Sequence, residues 1–238
     1  MMDDFKFFGR RKGRKIRKAK TSLLEQFLPQ LEISEQQPIS PNLFGTPVKK
    51  ICLEIGFGGG EHLAGFSLLH PETGFIGAEV FQNGIANLLS LLTGIKQNSE
   101  VPEKIRLLPD RVDNIRIYSD DVRKLFARIP DAMIDNVFLL FPDPWPKKRH
   151  ADRRFVNPDN LSELARIIKK GGTLLIATDH PIYKRWTLEQ MHRSSSFIWT
   201  ARHSNDWRNP PADWVETKYQ LKALKEGRRP VFLEYRRI

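Results

Sequence analysis

Short runs of Val, Ile, Leu and Phe alternate along this chain with stretches whose apolar residues recur every three or four positions. The first run, Val48–Ile55, predicts a strand. It leads into Gly56-Phe57-Gly58-Gly59-Gly60, a turn, and then into Glu61–His70, where Leu63, Phe66 and Leu69 have helical spacing. Gly74–Val80 predicts a second strand and Asn83–Gln97, with Ile85, Leu88, Leu89 and Leu92 apolar, a second helix. Residues 98–113 have no clear period and leave room for a short extra helix. Asn114–Tyr118 predicts a third strand, Val122–Arg128 a helix, and Ile134–Phe141 a fourth strand apolar enough to be buried on both faces. The pattern then predicts a helix over Pro158–Lys170, with proline in its first turn and Gly171-Gly172 as its stop. Thr173–Thr178 predicts a fifth strand, Pro181–Met191 a helix, and Phe197–Arg202 and Val231–Arg236 two late strands. Alternation of this kind predicts an α/β fold, a doubly wound and mostly parallel sheet. No internal repeat interrupts it.

The N-terminal part lacks such rhythm. Residues 21–47 carry Pro29, Pro38, Pro41 and Pro47, too many breaks for a long helix, and read as a lead-in to a folded domain over 48–238. Residues 1–20 hold nine Lys or Arg against Asp3 and Asp4, so +7 of the chain's net +11 sits in that tail. Such a segment buries too little apolar surface to order itself, and is expected to be disordered; a phosphate-binding arm is the functional alternative. At 238 residues the chain is long enough for one large core. Its positive charge favours polyanionic partners over acidic metabolites. The single cysteine, Cys52, excludes an intrachain disulfide, fits a reducing compartment and falls in a strand pattern as a core residue. No apolar run approaches the length of a membrane span, and no apolar segment follows the basic start as in a secretory signal. The cytoplasm is the expected compartment. The six histidines show no ligand spacing, so no metal site is expected.

A strand, a glycine-rich turn, a helix and a second strand ending in an acid form a nucleotide-binding arrangement. Gly56 and Gly58 allow close approach of backbone to ligand, and Glu79, 25 positions after Glu54, stands where a ribose diol is bound. The place of a third dinucleotide glycine is taken by Glu61. Glu54 and Glu61 flanking the turn would repel a pyrophosphate but not a cationic sulfonium amino acid. The third strand ends in Ser119-Asp120-Asp121, which offers Asp120 to an adenine amino group. Acids at three successive strand ends favour S-adenosylmethionine over NAD.

After the fourth strand comes Phe141-Pro142-Asp143-Pro144-Trp145-Pro146-Lys147-Lys148-Arg149-His150. Three prolines two apart fix their own φ and push the residues before them towards extended geometry, making a stiff loop. It presents one carboxylate, Asp143, and one large aromatic, Trp145, at the strand end where open α/β sheets bind ligands. Lys147, Lys148, Arg149, Arg153 and Arg154 follow. The combination points to chemistry on a nucleic acid base.

Glu54-Ile55-Gly56-Phe57-Gly58-Gly59-Gly60, Gly77-Ala78-Glu79, the Phe141–His150 run, Arg153-Arg154, Ala177-Thr178-Asp179 and Thr217-Lys218-Tyr219 together resemble the bacterial tRNA (guanine-N7)-methyltransferase family. The resemblance runs from about Val48 to the C-terminus. It implies a class I, Rossmann-like methyltransferase fold, S-adenosylmethionine as cofactor, and tRNA as partner, methylated at a variable-loop guanine. It implies Glu54, Glu79, Asp120 and Asp143 as cofactor-contacting acids and Asp143 as the active-site residue. It implies Lys147, Asp179, Thr217, Lys218, Tyr219 and Gln220 as substrate-binding, and Arg149, His150, Arg153 and Arg154 as RNA contacts. The family has Glu where this chain has Gln220, which leaves a hydrogen bond there but no ionic contact. No feature calls for an obligate protein partner.

Guanine N7 carries a lone pair and no proton, so its methylation needs no general base; positioning and electrostatics do the work. Asp143 is expected to hold the guanine edge and stabilise the developing cation, with Trp145 stacked on the base. Asp179 either shares in base binding or caps the helix at Pro181. N7 lies in the major groove, closed to side chains in an RNA helix, so the target base must sit in a loop or be splayed out. A nucleic-acid amino-methyltransferase, which uses a related Asp-Pro-Pro-aromatic loop, is the nearest competitor. A non-catalytic RNA-binding domain is another, though it would not need acids at three strand ends.

Overall fold

The computed structural model describes residues 8–238; the first seven, with Asp3, Asp4 and Lys6 of the basic tail, lie outside the described residues. The chain opens with an irregular segment to Arg17 and a helical run of α1 (Lys18–Ser22), a π-wound stretch (Leu23–Phe27) and α2 (Leu28–Leu31). This run spans the expected boundary at residue 20 and takes Pro29 into its last turn. Leu23, Phe27 and Leu31 explain it: spaced four apart, they form one buried stripe.

The sheet begins with β1 (Lys50–Ile55), followed by α3 (Glu61–Leu69), β2 (Thr73–Ala78), α4 (Gln82–Thr93), β3 (Ile115–Tyr118), α5 (Val122–Phe126), β4 (Ile134–Leu140), α6 (Pro158–Ile167) and β5 (Ile168–Thr178). After it come α7 (Pro181–Arg193), β6 (Phe197–Trp199), α8 (Asn205–Arg208), α9 (Lys218–Lys225) and β7 (Val231–Arg237). Strand order is β3-β2-β1-β4-β5-β7-β6, and β7 is antiparallel to both its neighbours. The doubly wound reading therefore holds, with a sheet of seven strands among the described residues. Alternate residues of each central strand feed opposite cores. Leu53, Ile55, Val137, Leu139, Leu174 and Ile176 pack with α5, α6 and α7 on one face. Cys52, Phe138, Leu140, Leu175 and Ala177 pack on the other, with α3, α4 and the N-terminal helical run.

Several boundaries differ from the pattern for local reasons. The helix begun by Pro158 is capped by the Asn157 side chain, which accepts from Asn160 N at 2.9 Å, and stops at Ile167 rather than Lys170. Ile168 is already extended, paired with Ile134, and β5 then runs through five residues to Thr173 while β4 advances two to Asn136. Gly171, at φ 82°, takes the bend, and Asp135 pins it by accepting from Lys169 Nζ and, on the other side, from Ile51 N. Similarly α4 ends at Gly94, φ 73°, short of Gln97. Residues 98–113 contain no helix. At the sheet's β3 edge, Ile33 N donates to Ile117 O at 2.9 Å, so the lead-in segment covers that edge.

Because β1 leads outward to β2 and β3 while β4 lies on its other side, a crevice opens between the C-terminal ends of β1 and β4.

Candidate active site

A cleft of about 640 Å³ occupies that crevice, within the range of small-molecule sites. The β1 turn forms its floor. Gly56 and Gly58 have φ of 67° and 57°, conformations that side chains rarely adopt. A Cβ at Gly56 would meet nothing within 4 Å, whereas one at Gly58 would stand 2.8 Å from the Tyr219 ring. The turn thus leaves open space at Gly56 and is tightly covered by Tyr219 at Gly58.

Glu79 ends β2 and is almost wholly buried. Its Oε2 accepts from Gly58 N at 2.7 Å, and its Oε1 from Val80 N and Phe81 N, each at 2.9 Å. Burial raises its pKa, and the three amides and Lys218 only partly offset that. A carboxylate has about four acceptor sites, so room is left on Glu79 for one hydroxyl donor. Asp120, past β3, accepts from Lys124 Nζ at 2.7 Å and Arg11 at 3.3 Å. Burial pushes its carboxyl up, but Lys124, the Asp121 amide and Arg11 outweigh it and the net shift is downward. Glu54 lies deeper, 3% exposed, with Oε2 at 2.8 Å from His62 Nδ1.

The loop after β4 forms the opposite wall. Before two of its three prolines the backbone is not extended: Phe141 has φ 52° and Trp145 φ 42°, two of the three non-glycine residues with positive φ among the described residues. Bulky residues rarely adopt this region, and such strain gathers at functional sites. Two interactions hold it. Phe141 N continues the ladder to Ala177 O at 2.8 Å. The Arg154 guanidinium, 5% exposed, donates to Pro144 O and Trp145 O at 3.0–3.3 Å and lies over the Trp186 ring. Between the two strained residues, Asp143 is exposed on the cleft and accepts no hydrogen bond from the described residues. Arg153 stacks on Trp145 at 5.0 Å and on Phe8 at 4.5 Å.

A family model described as "Putative methyltransferase" matches residues 48–233. The tRNA (guanine-N(7)-)-methyltransferase of Rhodospirillum rubrum is 44% identical, over 99% of this chain and 89% of that protein. Those of Chelativorans sp. and Agrobacterium fabrum are 42% and 43% identical, over 98% and 96% of this chain and 95% and 94% of theirs. The chain belongs to the tRNA (guanine-N7)-methyltransferase family. The solved 16S rRNA methyltransferase KamB, 12% identical, superposes with a TM-score of 0.54 over 80% of this chain and 88% of its own, which supports the class I fold.

Among the residues implied as substrate-binding by the family pattern, Tyr219 of α9 lines the cleft, and burial followed by Glu79, Glu61 and Asp143 raises its pKa. Lys218 lies 3.8 Å from Glu61 and over the Tyr219 ring. Thr217 and Gln220 are buried: the Thr217 hydroxyl caps α9, and Gln220 Oε1 accepts from Trp214 Nε1. Asp179 does not cap α7, a role taken by His180; it accepts from Arg228 Nε. Lys147 and Arg149 are exposed, and His150 packs edge-on against Trp145. Arg154, expected among the RNA contacts, is instead spent on the loop carbonyls.

Pattern reading missed Phe8, Gly9 and Arg10, Phe81, Asp152, Asn157 and Asn160, all on the cleft wall. Asn157 and Asn160 carry a readable signal, the cap before Pro158. Residues 8–10 belong to the basic tail that the sequence offers as a phosphate-binding arm, but only the fold places them here: Gln82 N donates to Arg11 O and Gly13 N to Asn83, which draws the basic segment across the cleft mouth.

Proposed function

We propose that this chain transfers the methyl group of S-adenosylmethionine to N7 of a variable-loop guanine in tRNA, with Asp143 as the residue that holds the base. The observation that carries the reading is a carboxylate with no hydrogen-bond partner among the described residues, fixed between two strained residues at the end of β4, opposite a nucleotide-type turn.

The residues suit that cofactor. Its adenosine end matches Glu79, which has capacity for a ribose hydroxyl, and Asp120; its cationic amino acid end matches Glu54 beneath the turn. When bound, it supplies a methyl carbon on a sulfonium, open to attack by a lone pair. Asp143 accepts from the N1–H and amino group of guanine, which leaves N7, on the opposite edge of the purine, free of protein donors. As N7 gains the methyl, positive charge develops on the ring, and the fixed carboxylate stabilises it without reorganising. Trp145 supplies the stacking face. Lys147, Lys218 and Tyr219 line the approach of the nucleotide, Asp179 helps to hold it, and Arg149, His150 and Arg153 meet flanking phosphates. Arg154 positions the loop. A tRNA substrate suits the cytoplasm as the compartment, and among the described residues no helix is long and apolar enough to cross a membrane.

Incubation with methyl-labelled S-adenosylmethionine and unmodified tRNA, followed by nucleoside analysis, is expected to give one labelled product, 7-methylguanosine. A base methylated on an amino group would sink the N7 assignment. Asp143→Asn is expected to lower kcat about a hundredfold, as for loss of a transition-state electrostatic partner. Full turnover with unchanged cofactor affinity would remove Asp143 from this role.

A further inference from the structure

Behind the cofactor cleft lies a buried group for which neither the fold nor the reaction accounts. His62, on the first turn of α3, is 2% exposed, and its Nδ1 lies 2.8 Å from Glu54 Oε2. Against an ionised carboxylate, which only accepts, Nδ1 is the donor of this bond. The other ring nitrogen, Nε2, is buried without a hydrogen-bond partner among the described residues. Around the imidazole stand Phe66 (centroids 5.1 Å apart, nearly parallel), Phe138 (5.1 Å) and Trp214 (4.8 Å). The imidazole therefore makes one hydrogen bond within the described residues, the one to Glu54. From Glu54, in turn, Oε1 accepts nothing from the described residues, so this buried carboxylate is held by one oxygen and keeps the other for a donor. Trp214, which closes the ring cage, is fixed by its Nε1–H to Gln220 Oε1 and by an edge contact on Phe232. Gln220 is itself buried, at the start of the helix that carries Tyr219 to the cleft.

We propose that His62 and, through Trp214, Gln220 are positioning residues for Glu54: they hold its carboxylate turned so that Oε1 receives the ammonium group of S-adenosylmethionine. Gln220 then acts on the cofactor side of the enzyme rather than on the substrate. This rests on the cofactor reading of the cleft. A carboxylate oxygen this deep needs a hydrogen-bond donor. The Nδ1–H supplies that bond and fixes the rotamer; the aromatic cage and the Trp214–Gln220 bond fix the imidazole. Without the donor, Glu54 is free to rotate, and the placement of Oε1 for an ammonium group is lost.

The two uses a protein makes of a buried histidine, donor and apolar filler, are separated by two substitutions. His62→Leu keeps the volume inside the ring cage and removes the donor; His62→Asn keeps a donor near the Nδ1 position and loses volume. Calorimetric binding of S-adenosylmethionine and of S-adenosylhomocysteine, which share the ammonium group, is read beside Tm, kcat and the KM for tRNA. His62→Leu is expected to weaken both ligands about tenfold or more, as for loss of a charge-assisted hydrogen bond, with the KM for tRNA unchanged. His62→Asn is expected to bind them within about threefold of the unaltered chain, despite a lower Tm. Gln220→Leu is expected to raise the cofactor Kd and leave the KM for tRNA as it was, and it decides between the two roles if His62→Leu does not fold. Cofactor binding by His62→Leu equal to that of the unaltered chain would overturn the proposal, as would a His62→Asn chain as weak as His62→Leu, or a Gln220→Leu chain altered only in its KM for tRNA. An unaltered chain that takes up neither ligand would remove the cofactor site itself, and the proposal with it.

Discussion

Glu79 shows how one residue ties the fold to the ligand. Its two oxygens hold the β1 turn to the β2–α4 turn through Gly58, Val80 and Phe81, so this cleft-lining acid is also a structural bolt. Burial raises its pKa above the ordinary 4.5, and this has a sign in each of two equilibria. In folding, a carboxyl with a raised folded pKa favours the protonated native state; its contribution is fullest below 4.5 and is lost as pH climbs through the folded value. In binding, the ribose hydroxyl needs an acceptor, so affinity for S-adenosylmethionine falls as Glu79 takes up its proton. Calorimetric titration from about pH 8 downward is therefore expected to show cofactor affinity declining at a higher pH than an ordinary glutamate would dictate. In Glu79→Gln that acid limb disappears and affinity is low throughout, because an amide sets a donor against the Gly58 or the Val80 and Phe81 amides. An acid limb that persists in Glu79→Gln would assign it to another group. Sequence alone places Glu79 at a strand end and suggests its ligand. It does not show the three amides, because they come from two turns brought together only by β1–β2 pairing. Cys52 is the opposite case: pattern reading makes it core, and burial followed by the Asp135 carboxylate pushes its thiol to about 12, far from reactive.

The loop after β4 is the element in which sequence and fold part most instructively. Its composition names the site, and the prolines promise rigidity, but local rules send Phe141 and Trp145 to extended geometry and the fold holds both at positive φ. The difference comes from contacts that no local rule contains: Ala177 on the neighbouring strand and Arg154 from further along the chain. The forked guanidinium reaches two successive carbonyls and stacks on Trp186, which a lysine cannot do. Arg154→Met and Arg154→Lys are both expected to lower single-turnover methyl transfer by about tenfold to a hundredfold, the cost of reacting groups misplaced by an ångström, with cofactor affinity within about twofold. An RNA contact behaves differently: lysine would restore activity, and methionine would weaken tRNA binding and flatten its salt dependence. Rapid-quench measurements under single-turnover conditions, beside tRNA binding at several salt concentrations, separate the two. Strands β1 to β5 are legible in the sequence because continuous apolar runs leave few alternatives. The end of α6 is not, because the helix-forming Lys169 and Lys170 are drawn into β5 by pairing with β4 and by Asp135.

At the scale of the whole molecule, the net charge of +11 is distributed so that its densest part crosses the site. Residues 8–17 hold six Lys or Arg, and Arg11 reaches Asp120, Arg17 reaches Asn98, and Gly13 and Arg14 bracket the Asn83 side chain. Phe8, Gly9 and Arg10 complete the cleft wall, and Phe8 covers the Arg153 that stacks on Trp145. The segment thus touches both the Asp120 side and the Trp145 side of the cleft. A chain lacking residues 1–17 keeps Leu23, Phe27 and Leu31 in the core and is expected to fold with a Tm close to that of the full chain. Its affinity for tRNA is expected to fall, and the slope of log affinity against log salt to shrink by about 0.7–0.9 for each phosphate contact given up. Its affinity for S-adenosylmethionine is expected to fall as well, because part of the cleft wall is gone. A segment that served solubility alone would leave slope and cofactor affinity unchanged. A segment that bound RNA but took no part in the site would change the slope alone. Loss of both, in a chain that melts normally, is the outcome that a single segment spanning both sides of the cleft requires.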